Sequence, residues 1–249
     1  MPRGPRQKSE SGIYHVMLKG IDGRNIFLHE GDRKKFLSQV LQAKEKGGFS
    51  LLAYCLMDNH VHFLLEENED LGTIMKRITV GYVLWHNHQY GRSGHLFQNR
   101  YLSEVVETDE YLVTVTRYIH QNPVKGGLVK KAKSYQWSSY QQYIDAYEGR
   151  VTQVNPERIK VYFKTRAEFE AFMNVQKEDK CLGYLNTRMI TDEELATIIH
   201  NKYLEEPGQE LSSEQRKKLI QDVYKAEKTS MRQLARVLGV GKKIIEKAL

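Results

Sequence analysis

The chain has very little cysteine and no long apolar run. Only Cys55 and Cys181 occur among its 249 residues. They are far apart and outside any Cys-x-x-Cys spacing, which argues against a disulfide framework and against a cysteine-based zinc site. No stretch approaches the roughly 18 apolar residues that span a bilayer, and the basic, polar residues 1–11 precede no apolar signal core. We therefore expect a cytoplasmic protein without a membrane partner.

Acidic residues are too few to balance the basic ones. The chain carries 38 Lys and Arg against 31 Asp and Glu, a formal net charge of +7. Such an excess favours a polyanionic partner, for which nucleic acid is the default candidate. Hydrophobic residues make up 40% of the chain, which is enough to build an ordinary soluble core.

The hydrophobic patterns of the first 148 residues predict an α+β fold. Alternating and apolar segments indicate strands, and apolar stripes at helical spacing indicate helices. We expect helices on one face of a mostly antiparallel sheet, because strands and helices alternate irregularly. The predicted strands are 12–19, 49–56, 60–66 and one from Tyr101, and the predicted helices are one from Asp32 to Gly47, 71–88, and one capped by Asp109 and stopped after Asn122 by Pro123.

The pattern changes after about residue 148. Residues 149–190 are polar and weakly periodic, so we interpret them as a linker or irregular packing segment. Residues 191–249 then predict a small all-α domain, with capping boxes at Thr191/Glu194, Ser212/Gln215 and Ser230/Gln233. The spacing of Ala235, Gly239, Val240 and Ile245 fits a helix-turn-helix, which would bring Lys242 and Lys243 to duplex DNA. A plain three-helix packing module is the alternative.

The triplet His60-Val61-His62 lies in an apolar, β-prone stretch, either after a hairpin turn or on one bent strand. Side chains alternate along a strand, so His60 and His62 point to the same side and Val61 to the other. Two neighbouring imidazoles on a rigid strand form half of a divalent-metal site. The same spacing also arises on an ordinary half-exposed strand.

A second pair, Tyr118 and Asn122, lies one turn apart on a predicted helix face. A tyrosine that faces a metal-bound phosphate is a nucleophile for phosphodiester cleavage, and a covalent link to DNA would let the strand be rejoined. The Asn122 carbonyl oxygen is a hard ligand that suits Mg²⁺ or Mn²⁺. With 15 tyrosines in the chain, packing is the competing interpretation of any single one.

Five sequence blocks, taken in order, resemble the REP-associated tyrosine transposases. This group belongs to the IS200-like family within the HUH (His-hydrophobic-His) superfamily of single-strand nucleases. The similarity covers about residues 10–145. The blocks are 12–16 (GIYHV), 53–65 (AYCLMDNHVHFLL), 94–101 (GHLFQNRY), 117–124 (RYIHQNPV) and 137–140 (WSSY).

The resemblance implies a ferredoxin-like sheet and cleavage of single-stranded DNA near hairpins, such as REP-like palindromes, through a 5′-phosphotyrosine. It implies His60 and His62 as metal ligands, Tyr118 as the nucleophile, and Asn122 at a position whose ligand varies across the superfamily. It leaves open a monomer or a homodimer. The rival functions are a DNA-binding regulator on the same scaffold and a replication or mobilisation nuclease of the same superfamily.

Several further residues are candidates for contacts with DNA or with the site. Arg6 and Lys19 belong to a basic N-terminal set, and Lys125, Lys130 and Lys131 follow the predicted nucleophile helix. Arg100 would either grip a phosphate or form a surface ion pair. We expect His15 to be either a core residue or part of the site lining, His120 to point away from the Tyr118 face, and Trp137 and Tyr140 to pack in the core.

Overall fold

The structure is a computed structural model, and it describes residues 6–98, 100–182, 192–203, 212–226, 229 and 231–249. The chain divides into two compact units, Met1–Leu185 and Asn186–Leu249. Within the described residues, no helix combines the length and apolar character needed to cross a membrane.

The first unit is built on a four-stranded antiparallel sheet. Its strand order is β2-β3-β1-β4, so β1 and β3 form the centre, as in a split βαβ arrangement. The predicted α+β class with a ferredoxin-like antiparallel sheet is confirmed. The elements of this unit are β1 (Ile13–Lys19), α1 (Glu30–Gly47), β2 (Ser50–Leu56), β3 (His60–Glu66), α2 (Leu71–Gln89), β4 (Leu102–Val105), α3 (Asp109–Lys125), α4 (Tyr140–Tyr147), α5 (Glu157–Lys160) and α6 (Arg166–Met173).

Helices cover both faces of this sheet, which corrects the expectation of a single helical face. The α1 ring of Phe36 stacks on Phe63 of β3, with ring centroids 6.0 Å apart. The α3 ring of Tyr118 lies edge-on to His62 of the same strand, at 5.6 Å. Neighbouring strand residues point to opposite sides, so α1 and α3 lie on opposite faces. The physical reason is that β3 is buried on both faces, from Val61 through Leu65.

The helix α3 continues through Pro123 to Lys125, although we predicted that it would stop at Asn122. Pro123 lacks the N–H that would donate to the Ile119 carbonyl, so it removes one hydrogen bond, yet the helix continues past it for two residues. The N–H of Gly126 still donates to the Asn122 carbonyl at 2.8 Å. At the other end Thr108, not Asp109, is the cap, since its hydroxyl accepts from the Tyr111 N–H.

Residues 149–182 are packed onto the first unit, so this unit ends at Leu185 rather than at residue 148. Phe169 and Met173 of α6 are fully buried in its core, because their four-residue spacing puts them on one helix face. Farther along, the Arg117 guanidinium and the Asp179 carboxylate form a two-point ion pair, at 3.0 and 2.7 Å. Both side chains are more than nine-tenths buried, so the pair fixes this segment against α3.

Among the residues of the second unit that the structure describes, there are four helices: α7 (Asp192–Tyr203), α8 (Ser213–Ala226), α9 (Met231–Val237) and α10 (Lys242–Ala248). Its core includes Leu195, Val223, Leu234 and Ile245. Ser212 and Gln215 form the predicted capping box, with reciprocal hydrogen bonds of 3.2 and 3.0 Å, whereas Thr191 and Ser230 lie outside the described residues. A short turn joins α9 to α10, and Gly239 there has φ +64°, a left-handed conformation that favours glycine. The helix-turn-helix stays a prediction.

Candidate active site

Two histidines of β3 lie side by side near one end of the sheet. The ring centroids of His60 and His62 are 5.1 Å apart. The partners directly opposite them on β1 are Lys19 and Met17, so all four side chains lie on the sheet face that α3 covers. His60 is half-buried and His62 is 1% exposed. The predicted placement of both imidazoles on one side of the strand is confirmed.

One nitrogen of each imidazole is already hydrogen-bonded within the protein. His60 Nδ1 lies 2.7 Å from Asn59 Oδ1, and His62 Nδ1 lies 2.9 Å from His15 Nε2. Burial lowers the pKa of His60 to about 4, with the Lys19 charge adding to the effect and a hydrogen bond to Asn122 opposing it. Burial also lowers the pKa of His62, and His15 and His60 add to it. Both rings are therefore neutral at pH 7, as metal ligation requires.

The helix α3 brings the predicted tyrosine and asparagine to this pair. Tyr118 lies edge-on to both His62 and His15, with ring centroids 5.6 and 5.7 Å apart. The Asn122 side chain hydrogen-bonds His60, and its Nδ2 donates to the Tyr118 carbonyl at 2.9 Å. Tyr118 is 2% exposed, and burial raises its pKa, with Cys181 and Glu104 adding to the rise. Its phenol is therefore protonated at pH 7.

His15 and Glu104 extend the cluster beyond the four residues that we expected in it. His15 is fully buried, and its Nδ1 lies 3.7 Å from the Glu104 carboxylate. Sequence reasoning left His15 open between core and site and did not single out Glu104. The register of the sheet brings Glu104 into the cluster, because His15 on β1 is directly opposite Glu104 on β4. A single sequence does not reveal which residues of separate strands become partners.

Some of the predicted basic residues gather at the His60 end of the sheet. Lys19 is directly opposite His60, and the Gln98 N–H donates to the Lys19 carbonyl at 2.8 Å, which brings the exposed Arg100 to the same end. Arg6 stacks on Tyr101, with its guanidinium 3.7 Å from the ring centroid. On α3, Lys125 Nζ lies 5.0 Å from the centre of the Tyr118 ring.

The other candidate residues lie away from the cluster around His60 and His62. Lys130 and Lys131 are exposed beyond the end of α3. His120 points away from it as predicted, with Nε2 2.8 Å from Ser139 Oγ, and Tyr140 is buried in the core. In the second unit Lys243 is exposed, and the side chain of Lys242 lies outside the described residues.

The residues present fit an open divalent-metal site. His62 keeps its Nε2 beyond the Nδ1 hydrogen bond to His15, and a cation would replace the hydrogen bond between His60 and the Asn122 side chain. Amide oxygen suits hard cations such as Mg²⁺ and Mn²⁺, and imidazole also suits other transition metals. Within the described residues, no group of three His, Cys, Asp or Glu side chains forms a closed metal site. Water and phosphate oxygens would therefore have to complete the coordination.

Comparisons with known proteins give a family and a fold to which this chain is similar. The sequence model of the family "Transposase IS200 like" matches residues 8–122, a range that includes His60, His62, Tyr118 and Asn122. A putative REP-associated tyrosine transposase of Haemophilus influenzae strain KW20 is 27% identical over 157 residues, which are 57% of this chain and 86% of the relative.

A solved structure of a REP-associated tyrosine transposase bound to a REP hairpin is similar in fold. It superposes with a TM-score of 0.51 at 18% identity, over 62% of this chain and 91% of that one. The resemblance seen in the five sequence blocks is confirmed by the family match and the curated relative. Residues 8–122, 115 of the 249 residues, therefore match the IS200-like transposase family.

Proposed function

We propose that the first unit cleaves and rejoins single-stranded DNA next to hairpins, through a 5′-phosphotyrosine on Tyr118. The observation that carries the proposal is the position of the Tyr118 ring, 5.6 Å from His62 and on the sheet face that also carries His60. A buried tyrosine beside two neutral imidazoles and an amide oxygen matches the parts that metal-assisted phosphodiester transfer needs.

In this reaction the Tyr118 oxygen attacks the scissile phosphorus. A phosphorus–oxygen bond to the tyrosine forms, and the bond to the 3′ oxygen of the neighbouring nucleotide breaks. The phenol proton leaves Tyr118, and the departing 3′ oxygen takes up a proton. Attack by a 3′ hydroxyl on the phosphotyrosine reverses these changes, so the strand is rejoined with no external energy source. Because Tyr118 is 2% exposed, it must gain access to the DNA as the substrate binds.

His60, His62 and Asn122 would hold the divalent cation, Mg²⁺ or Mn²⁺. When bound, the cation would polarise the scissile phosphate and stabilise charge that develops on its oxygens. The protein itself supplies the positions. Asn59 and His15 hold the two imidazoles by their Nδ1 hydrogen bonds, and α3 keeps Asn122 and Tyr118 one turn apart.

The basic side chains near His60 are proposed to bind the DNA backbone. Lys19 lies opposite His60 and Lys125 lies over the Tyr118 ring, and Arg6, Arg100, Lys130 and Lys131 would extend the contact with the backbone. The similar solved structure is bound to a REP hairpin, which makes hairpin DNA with REP-like palindromes the proposed partner. In the second unit, Lys242 and Lys243 would contact duplex DNA if α9 and α10 act as a helix-turn-helix. An enzyme with this substrate would work in the cytoplasm.

The substitution Tyr118→Phe tests the proposal. The variant should lose detectable covalent protein–DNA adducts and cleavage, because only the attacking oxygen is removed, while hairpin binding stays within about threefold of wild type. The measurement uses a hairpin oligonucleotide with a single-stranded flank, labelled at each end in turn, with Mg²⁺ or Mn²⁺, followed by denaturing gels. Tyr90→Phe is the matched control, because that hydroxyl donates to Asp32 on α1. Adducts formed by Tyr118→Phe would mean that another tyrosine is the nucleophile.

A DNA-binding regulator is the second candidate, and the α9–α10 pair with exposed Lys243 is the feature that favours it. A regulator needs neither a metal nor a covalent step. The same assay separates the two functions, since tight hairpin or duplex binding with no adduct at any Mg²⁺ or Mn²⁺ concentration would support the regulator. A replication or mobilisation nuclease would share the adduct chemistry and would differ in the DNA that it cuts.

A further inference from the structure

A chain of polar groups, buried except at Glu104, runs from Glu104 on β4 through His15 on β1 to His62 on β3. His15 Nε2 lies 2.9 Å from His62 Nδ1, and Glu104 Oε2 lies 3.7 Å from His15 Nδ1. The three residues share one face of the sheet, since Glu104 is directly opposite His15 and His62 is opposite Met17, two residues along β1. His15 is fully buried and His62 is 1% exposed, so water does not compete freely for these nitrogens.

Glu104, at one end of this row of polar groups, determines the direction of the hydrogen bonds. The Glu104 carboxylate accepts the Leu182 N–H at 2.9 Å, and an ionised carboxylate can only accept. His15 Nδ1 has no hydrogen-bond partner among the described residues, but the Glu104 carboxylate lies 3.7 Å from it, and this negative charge favours the tautomer whose proton is on Nδ1. A neutral imidazole carries one proton, so His15 Nε2 must then be the acceptor toward His62.

The direction of these hydrogen bonds determines which nitrogen of His62 can bind a metal. If His15 Nε2 accepts, His62 Nδ1 is the donor, and the unprotonated nitrogen of His62 is Nε2. That nitrogen is the one left for a metal. Histidines that bind metals usually donate their other N–H to a carboxylate, carbonyl or similar acceptor, and such partners affect metal affinity by about 10–100-fold.

We propose that Glu104 and His15 are positioning residues that hold His62 in the tautomer with Nδ1–H, so that Nε2 faces the metal. The effect on metal binding rests on the proposed function, whereas the tautomer is a property of the metal-free protein. Neither residue touches the reacting phosphate. Their role is to fix the orientation and protonation of a ligand before the metal arrives.

Nuclear magnetic resonance of the full chain, metal-free and ¹⁵N-labelled at histidine, reads the tautomer directly. Long-range correlation of ring protons with ring nitrogens should show His62 protonated at Nδ1 and unprotonated at Nε2. In Glu104→Gln the amide can donate to or accept from His15, so we expect a mixture of His62 tautomers. A wild-type His62 protonated at Nε2 would overturn the proposal.

Mn²⁺ binding, followed by electron paramagnetic resonance of the full chain without DNA, is the second readout. His15→Leu removes both ring nitrogens at similar volume and should weaken Mn²⁺ binding by about 10–100-fold. His15→Gln offers an amide oxygen to His62 Nδ1 and should restore most of the affinity. His86→Leu is the matched control, because His86 is also fully buried but lies on α2. Circular dichroism checks that each variant is folded.

The outcomes separate this inference from the proposed function. If His60→Ala weakens Mn²⁺ binding but a folded His15→Leu binds Mn²⁺ as wild type does, His15 is a packing residue and the inference fails alone. If His60→Ala leaves Mn²⁺ binding unchanged, the proposed metal site fails, and with it the role of His15 toward a metal. In that case the His62 tautomer still decides whether Glu104 and His15 set its protonation.

Discussion

The two faces of β3 carry different kinds of side chain although both are buried. Toward α1 the strand presents Val61, Phe63 and Leu65, all fully buried. Toward α3 it presents His60, His62 and Leu64. An apolar face needs only dense packing, whereas a buried imidazole also needs hydrogen-bond partners. Apart from Asn59, which directly precedes His60, these partners are His15 on β1 and Asn122 on α3, so three separate parts of the chain must meet before this face is satisfied.

We therefore expect substitutions on the histidine face to reduce activity with little loss of stability. His60→Ala should reduce metal-dependent cleavage by more than about a hundredfold, since removing a ligand should cost more than removing an outer partner. Unfolding in urea should change little, because His60 is half-buried and lies near the end of the sheet. His88→Ala, an exposed histidine on α2, is the control for both measurements. Unchanged cleavage by His60→Ala would remove this residue from the proposed metal site.

The apolar face should behave in the opposite way. Phe63 packs on Phe36 with ring centroids 6.0 Å apart and is fully buried. Phe63→Ala should therefore lower the free energy of unfolding by about 3–5 kcal/mol. At a temperature where the variant is still folded, adduct formation per folded molecule should stay near wild type. A loss of activity as large as that of His60→Ala, in a folded Phe63→Ala protein, would mean that the two faces are not separable.

The sequence predicted the parts of the site that follow local periodicity. Alternation along one strand placed His60 and His62 together, and four-residue spacing placed Tyr118 and Asn122 together. The residues that were missed depend on contacts between distant segments. Glu104 is partly exposed on a short edge strand, and only the pairing of β1 with β4 brings it to His15. The packing of α6 similarly depends on a surface that α3 and α4 create, which the weak periodicity of residues 149–190 does not reveal.

The smallest predicted effect is a dependence of stability on pH that comes from the histidine face. Burial lowers the pKa of His60 to about 4 in the folded chain, with the Lys19 charge as the second cause, against about 6.5 in an unfolded chain. Between these values the unfolded state binds more protons than the folded state, so the free energy of unfolding should fall as the pH is lowered from about 6.5 toward 4.

Urea unfolding between pH 7 and pH 4.5 measures this slope, and His60→Gln should make it shallower, because glutamine does not titrate. Equal slopes for the two proteins would show that His60 is not protonated more easily after unfolding. Lys19→Gln tests how much the Lys19 charge contributes to the lowered pKa of His60. It should raise the pKa of His60, measured by nuclear magnetic resonance, but leave it below the unfolded value, because burial is the larger cause and is unchanged. The buried His86 on α2 also has a pKa lowered by burial, so the difference in slope between wild type and His60→Gln, and not the wild-type slope itself, measures the contribution of His60.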